Sequence, residues 1–189
     1  MNFALLRQSI KSNFAVWGLT TLILNVLLGQ MVAMTATRAL LGPMFYGMLV
    51  PALSAIFIII VGNKLLAGQV DRGSMAYLLT APVRRLTVTL TQTLYFIGAL
   101  VVIFGSMTVT SLLVNHYAEA GFAKKILVEL NFGALAIAFA FAGIMFLASG
   151  VFNLSKLSLG TGGGLILAFI LLAVIASFVN YGVSGLDDV

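Results

Sequence analysis

Five stretches containing no Asp, Glu, Lys or Arg constrain this chain more than any other feature. They run Ser12 to Thr37, Ala39 to Asn63, Leu86 to Ala118, Leu130 to Ser155 and Leu157 to Leu186. Each exceeds the ~20 residues with which a helix crosses the hydrocarbon of a bilayer. An ionised side chain near the centre of such a helix costs about 2.5 to 3.5 kcal/mol, so long charge-free runs are what lipid permits. Backbone in lipid must satisfy its own hydrogen bonds, and no alternating ten-residue pattern points to a barrel. The sequence therefore predicts an all-α integral membrane protein: a polytopic bundle of five transmembrane helices in a single domain over residues 1–189.

The composition removes the alternatives. With 61% apolar and 8% charged residues, against about 25% charged in an average soluble domain, the polar surface is too small to cover a water-soluble fold. The chain has no cysteine, which removes disulfides, thiolate metal sites and cysteine nucleophiles. Its net charge of +5 is spread between apolar blocks, with no basic stripe of the kind that binds nucleic acid. The charge orients the chain instead. A cytoplasmic N-terminus puts Arg7, Lys11, Lys64, Arg72, Arg84, Arg85 and Lys156 inside and Arg38, Lys124 and Lys125 outside, seven against three. Glu119, Glu129, Asp187 and Asp188 then fall outside, and so does the C-terminus. A cleaved signal peptide is the rival reading of the first run, but 26 residues is too long for an h-region of about 7 to 15.

Local patterns refine this layout. Phe3, Leu6, Ile10 and Phe14 recur at helical spacing opposite Arg7, Gln8, Lys11 and Ser12, so residues 1–15 read as an amphipathic interfacial helix that turns into the first span. The alternative is a simple extension of that span. Gly42-Pro43 marks an outer turn, and Pro51 should kink the second span. Val114 to Leu130 reads as a mixed-charge outer loop, and Lys156 as part of a tight inner turn. Gly160-Thr161-Gly162-Gly163-Gly164 lacks the Lys-Ser or Lys-Thr of a phosphate loop and reads as a helix start or a close-packing site. Ala134, Ala138 and Ala142 form a small-residue ridge suited to helix packing, within the bundle or across a dimer. Asn25, Gln30, Gln92 and Asn131 either line a path or bridge helices.

The segment between Lys64 and Arg85 is the one long cytoplasmic connection. Asp71 can cap a short helix that Pro82 ends, with Met75, Leu78 and Leu79 on one face and Tyr77 beside them. Such a face can be buried in headgroups or in a groove on a partner. Arg84 and Arg85 anchor the following span at the interface by snorkelling, as Arg7 and Lys11 do for the first. The run Asp71-Arg72-Gly73-Ser74-Met75-Ala76-Tyr77-Leu78-Leu79-Thr80-Ala81-Pro82-Val83-Arg84-Arg85, lying between the second and third spans, resembles the permease subunits of type-2 ABC exporters. That resemblance implies a cytoplasmic coupling helix whose Asp71, Arg72, Gly73, Ser74, Met75, Tyr77, Leu78 and Leu79 insert into a separate ABC ATPase subunit. It also implies a second permease copy or homologue as partner, and no catalysis or cofactor on this chain. Such permeases usually have six spans with both termini inside, whereas this sequence shows five, which implies either a missing last span or a five-span variant.

Two other classes compete with an exporter permease. A non-transporting membrane scaffold or immunity-type protein needs nothing beyond five apolar helices. An intramembrane enzyme would need His116, at the outer end of the third span, to meet Ser149 near the inner end of the fourth, roughly 30 Å away. Ligands for metal hydrolysis are lacking. The spans carry no carboxylate for proton or sodium coupling, so an external energy source fits the sequence better.

Overall fold

The computed structural model describes residues 3–34, 38–65, 85–152 and 154–184. Among these residues all regular structure is helical. The first span is α1 (Phe3–Ala33). The second is built from α2 (Arg38–Leu40), a π-helical segment Leu41–Leu49 and α3 (Val50–Leu65). The third and fourth are α4 (Arg85–Tyr117) and α5 (Lys124–Val151). The fifth comprises α6 (Ser155–Ser158), a second π-helical segment Leu159–Gly163 and α7 (Gly164–Ser184). Five helices are thus long and apolar enough to cross a membrane, the pattern of a multi-pass membrane protein. Successive spans alternate in direction. The start of α1, the end of α3, the start of α4 and the end of α5 share one face of the bundle, called here the N-terminal face.

The bundle is inside-out relative to a soluble protein. Phe14, Leu22, Phe132, Leu147 and Leu172 are each at least 60% exposed, while Asn13, Gln92, Ser111 and Asn131 are at most 2% exposed. Apolar side chains facing outward have lipid to meet, and polar ones facing inward find one another. The core between the second, third and fourth spans is aromatic. Phe57 stacks on Phe96 at 6.0 Å between ring centroids, and Phe96 meets Phe146 at 5.2 Å.

Several boundaries differ from the sequence reading. α1 is one continuous helix from Phe3, without a turn between an interfacial piece and the span, because no glycine or proline occurs before Gly18 to break it. At 1.5 Å per residue its 31 residues extend roughly 46 Å, more than the ~30 Å of hydrocarbon a span must cross. Gly42-Pro43 is not a turn but lies inside the first π-helical segment. The fourth span starts at Lys124 and not at Leu130, since Lys and Glu are good helix formers at the membrane edge. This shortens the loop to residues 118–123. Asn115 closes it, donating to the Phe122 carbonyl at 3.0 Å and accepting from its N–H at 2.9 Å. Lys156 belongs to α6, and the turn lies just before it.

Candidate functional site

The polar side chains of the N-terminal face form a connected layer. Ser9 of α1 donates to Gln92 of α4 at 3.1 Å, and Asn13 donates to the Ser9 carbonyl at 3.0 Å, so the third face of this helix, neither its apolar row nor its cationic row, is the buried one. On the other flank Lys64 Nζ donates to the Ser12 carbonyl at 2.7 Å, tying the last turn of α3 to α1. One residue earlier, Asn63 donates to Ser155 Oγ at 2.8 Å and ties α3 to α6. Ser149 and Ser158 share a 2.7 Å hydrogen bond that joins α5 to the end of α6. Among the described residues the Oδ1 atoms of Asn13 and Asn63, both at this face, are the buried polar side-chain atoms without a hydrogen-bond partner, which carries a cost.

These contacts hold the two helix ends that flank residues 66–84. Leu65 follows Asn63 and Lys64 directly, while Gln92 sits two turns into α4. The end of α3 is thus hydrogen-bonded to α1 through Lys64 and to the fifth span through Asn63, and α4 to α1 through Gln92. The predicted coupling residues Asp71, Arg72, Gly73, Ser74, Met75, Tyr77, Leu78 and Leu79, with the anchor Arg84, lie outside the described residues. Arg85 is the first residue of α4, and Arg7 and Lys11 are exposed on α1.

The second π-helical segment packs on α5, and the first touches it through Tyr46. Ala134, Ala138 and Ala142 are all buried on it. Further along, Met145 lies between two glycines. A Cβ placed on Gly62 would stand 2.8 Å from Met145 Cγ, and one on Gly162 would stand 2.8 Å from Ala148 Cβ and 2.9 Å from Met145 Sδ. A side chain at either position would force its neighbour to shift. Near the opposite face, Tyr46 donates to Asn131 Oδ1 at 3.1 Å, and Asn131 donates to Ser111 Oγ at 3.3 Å and to the Leu127 carbonyl at 2.9 Å. Between α1 and α4, Asn25 donates to Ser106 Oγ at 3.0 Å and accepts from Thr110 at 2.7 Å. Asn25, Gln92 and Asn131 thus bridge helices, while Gln30 is exposed.

The sequence reading missed Ser9, Asn13, Asn63, Lys64 and Ser155 as a group. The available signal was the spacing of four between Ser9 and Asn13 and the placement of Asn63-Lys64 at the end of an apolar run. His116 stands in the last turn of α4 and Ser149 near the end of the antiparallel α5, so the two are at opposite ends of the bundle. Among the described residues no cluster of three His, Asp or Glu side chains is placed to hold a metal ion. Comparison with models of known protein families, with curated proteins and with solved structures gave no match.

Proposed function

We propose that this chain is the membrane-spanning permease subunit of an ATP-driven exporter of the type-2 ABC class. A separate ATPase subunit hydrolyses ATP, and a second copy of the bundle or a homologue completes the path. The membrane is the cell membrane, with the N-terminal face in the cytoplasm and the C-terminus outside. The observation that carries this reading is the polar clamp on the two helices that flank residues 66–84, a stretch whose run from Asp71 to Arg85 resembles a coupling helix in sequence. A motor pulling on that segment moves α3 and α4, and through Lys64–Ser12, Asn63–Ser155 and Ser9–Gln92 it moves the first and fifth spans with them. Among the described residues the one carboxylate within a span is Glu129, in the second turn of α5 and 3.7 Å from Lys125, so the interior of the spans offers none for ion coupling and an external energy source fits better.

Purification of the chain in mild detergent tests the reading. The wild type should retain an ATPase subunit with vanadate-sensitive activity. L78D/L79D should lose it by tenfold or more, because a groove that buries two leucines will not accept two carboxylates. Equal retention by the double variant, or labelling of the segment from the cell exterior, overturns the assignment.

A further inference from the structure

The first span presents Leu6, Ile10, Phe14 and Trp17 along one line, each a turn or so apart. Together with α4 from Leu94 to Val102 they enclose an apolar groove of about 380 Å³ that opens sideways out of the bundle. The space is not an accident of strained packing: a Cβ built on Gly98, in its floor, meets no atom within 4 Å. Trp17 is fixed in the wall by donating its indole N–H to the Ala99 carbonyl at 3.3 Å. Phe14 is 60% exposed and Ile10 44% exposed beside it, so the groove is open to whatever surrounds the helix.

Charge is placed at one end only. Arg7 and Lys11 follow Leu6 and Ile10 by one position, which on a helix sets them about 100° around from the groove line and one turn apart, along its edge. Both are exposed. The one ion pair among the described residues is Lys125–Glu129, and no acidic residue precedes Asp71 in the sequence, so neither cation is neutralised by its own helix or span. From Arg7 to Trp17 the axial distance is roughly 15 Å. The apolar wall is therefore flanked by two cations over its first turn and continues, without charge, for nearly two turns beyond them to Trp17. A peptide in this groove would leave backbone groups unsatisfied in lipid, and a second apolar helix would leave the cations without a counter-charge. An amphiphile with a negative head and a hydrocarbon tail matches both parts.

We propose that this groove is a specific site for an anionic phospholipid, with its phosphate headgroup on Arg7 and Lys11 and one acyl chain running past Phe14 to Trp17. The site does not depend on the exporter assignment. Trp17 is the single tryptophan of the chain, so its fluorescence reports the groove alone. The full-length protein, reconstituted in phosphatidylcholine vesicles, is titrated with phosphatidylglycerol or phosphatidylcholine carrying brominated chains. Brominated phosphatidylglycerol should quench Trp17 with an apparent affinity roughly fivefold higher, about what one basic residue contributes at a membrane surface. R7Q/K11Q should bring the two lipids level, R7K/K11R should keep the preference, and G98L should weaken quenching by both. In the wild type the preference should shrink in 1 M salt, a measurement that needs no variant. Equal quenching by the two lipids in the wild type, or a preference untouched by R7Q/K11Q, overturns the headgroup assignment. Undiminished quenching in G98L overturns the groove.

Discussion

The two π-helical segments stand near opposite faces of the bundle, and both touch α5, yet they meet it in opposite ways. Leu41–Leu49 brings large side chains: Phe45 is fully buried, its ring meets Tyr46 edge-on at 5.1 Å, and the Tyr46 hydroxyl reaches Asn131. Leu159–Gly163 brings almost none, and its Gly162 backbone sits where Ala148 and Met145 leave no room for a methyl group. Wide helical turns are uncommon and each has a local cause. Just after the first segment, Pro51 in α3 cannot donate a hydrogen bond and its ring crowds the carbonyl four residues back, and the opened turn before it persists to the Val50 N–H, which bonds to the Phe45 carbonyl. The second is a glycine-rich stretch with few side chains to resist rewinding. One segment is held by what it carries and the other by what it omits, so substitution should affect them unequally.

The largest effect is expected at the empty one. Gly162→Val puts a branched side chain against Ala148 Cβ at 2.8 Å, where a helix, and not a flexible tip, must give way. The cost should be about 3 kcal/mol, the upper range for overpacking, read from unfolding in mixed detergent micelles. A cost under about 1 kcal/mol would mean that the fifth span simply swings outward and that the contact is loose.

The next effect is a coupling. Gly62→Ala alone should destabilise by about 1 to 2 kcal/mol because Met145 Cγ occupies the space, and Met145→Ala alone should cost at least 2 kcal/mol through the cavity it leaves. Combined, the two should cost less than their sum by about 1 kcal/mol, since the alanine at 62 then enters space that the methionine has vacated. Strict additivity in the same micelle assay would show that Met145 already moves freely between the two glycines.

How much of this was legible in the sequence follows from the same contrast. Charge-free runs gave the five spans, because lipid punishes charge at any position along a helix. The glycine run before the fifth span could be read as a packing site, because absence of side chains is a property of composition. The wide turn at Leu41–Leu49 could not be read, since it is a matter of hydrogen-bond register, and Gly42-Pro43 gives the same signal as a turn. The ends of the spans were misplaced at Phe3 and Lys124 because charged residues at the membrane edge continue a helix as readily as they end it. The pairing of Ser9 with Gln92 across 83 positions depends on which helices become neighbours, and a single sequence holds no record of that.

The smallest effect separates the filled segment from the empty one most cleanly. Tyr46→Phe keeps the ring, its edge-on contact with Phe45 and the volume it fills, and removes only the hydroxyl that donates to Asn131. Asn131 is 2% exposed and still donates to Ser111 and the Leu127 carbonyl, so the loss leaves one buried acceptor unpaired. Hydrogen bonds between membrane helices average about 0.6 kcal/mol, and the expected cost is of that size, several times below that of Gly162→Val. Large side chains would then hold the first segment mainly by packing, with the hydrogen bond setting its rotation against α5. If Tyr46→Phe instead costs as much as Gly162→Val, the polar contact is the principal fastening of the second span to the fourth, and the two segments differ in chemistry rather than in tightness.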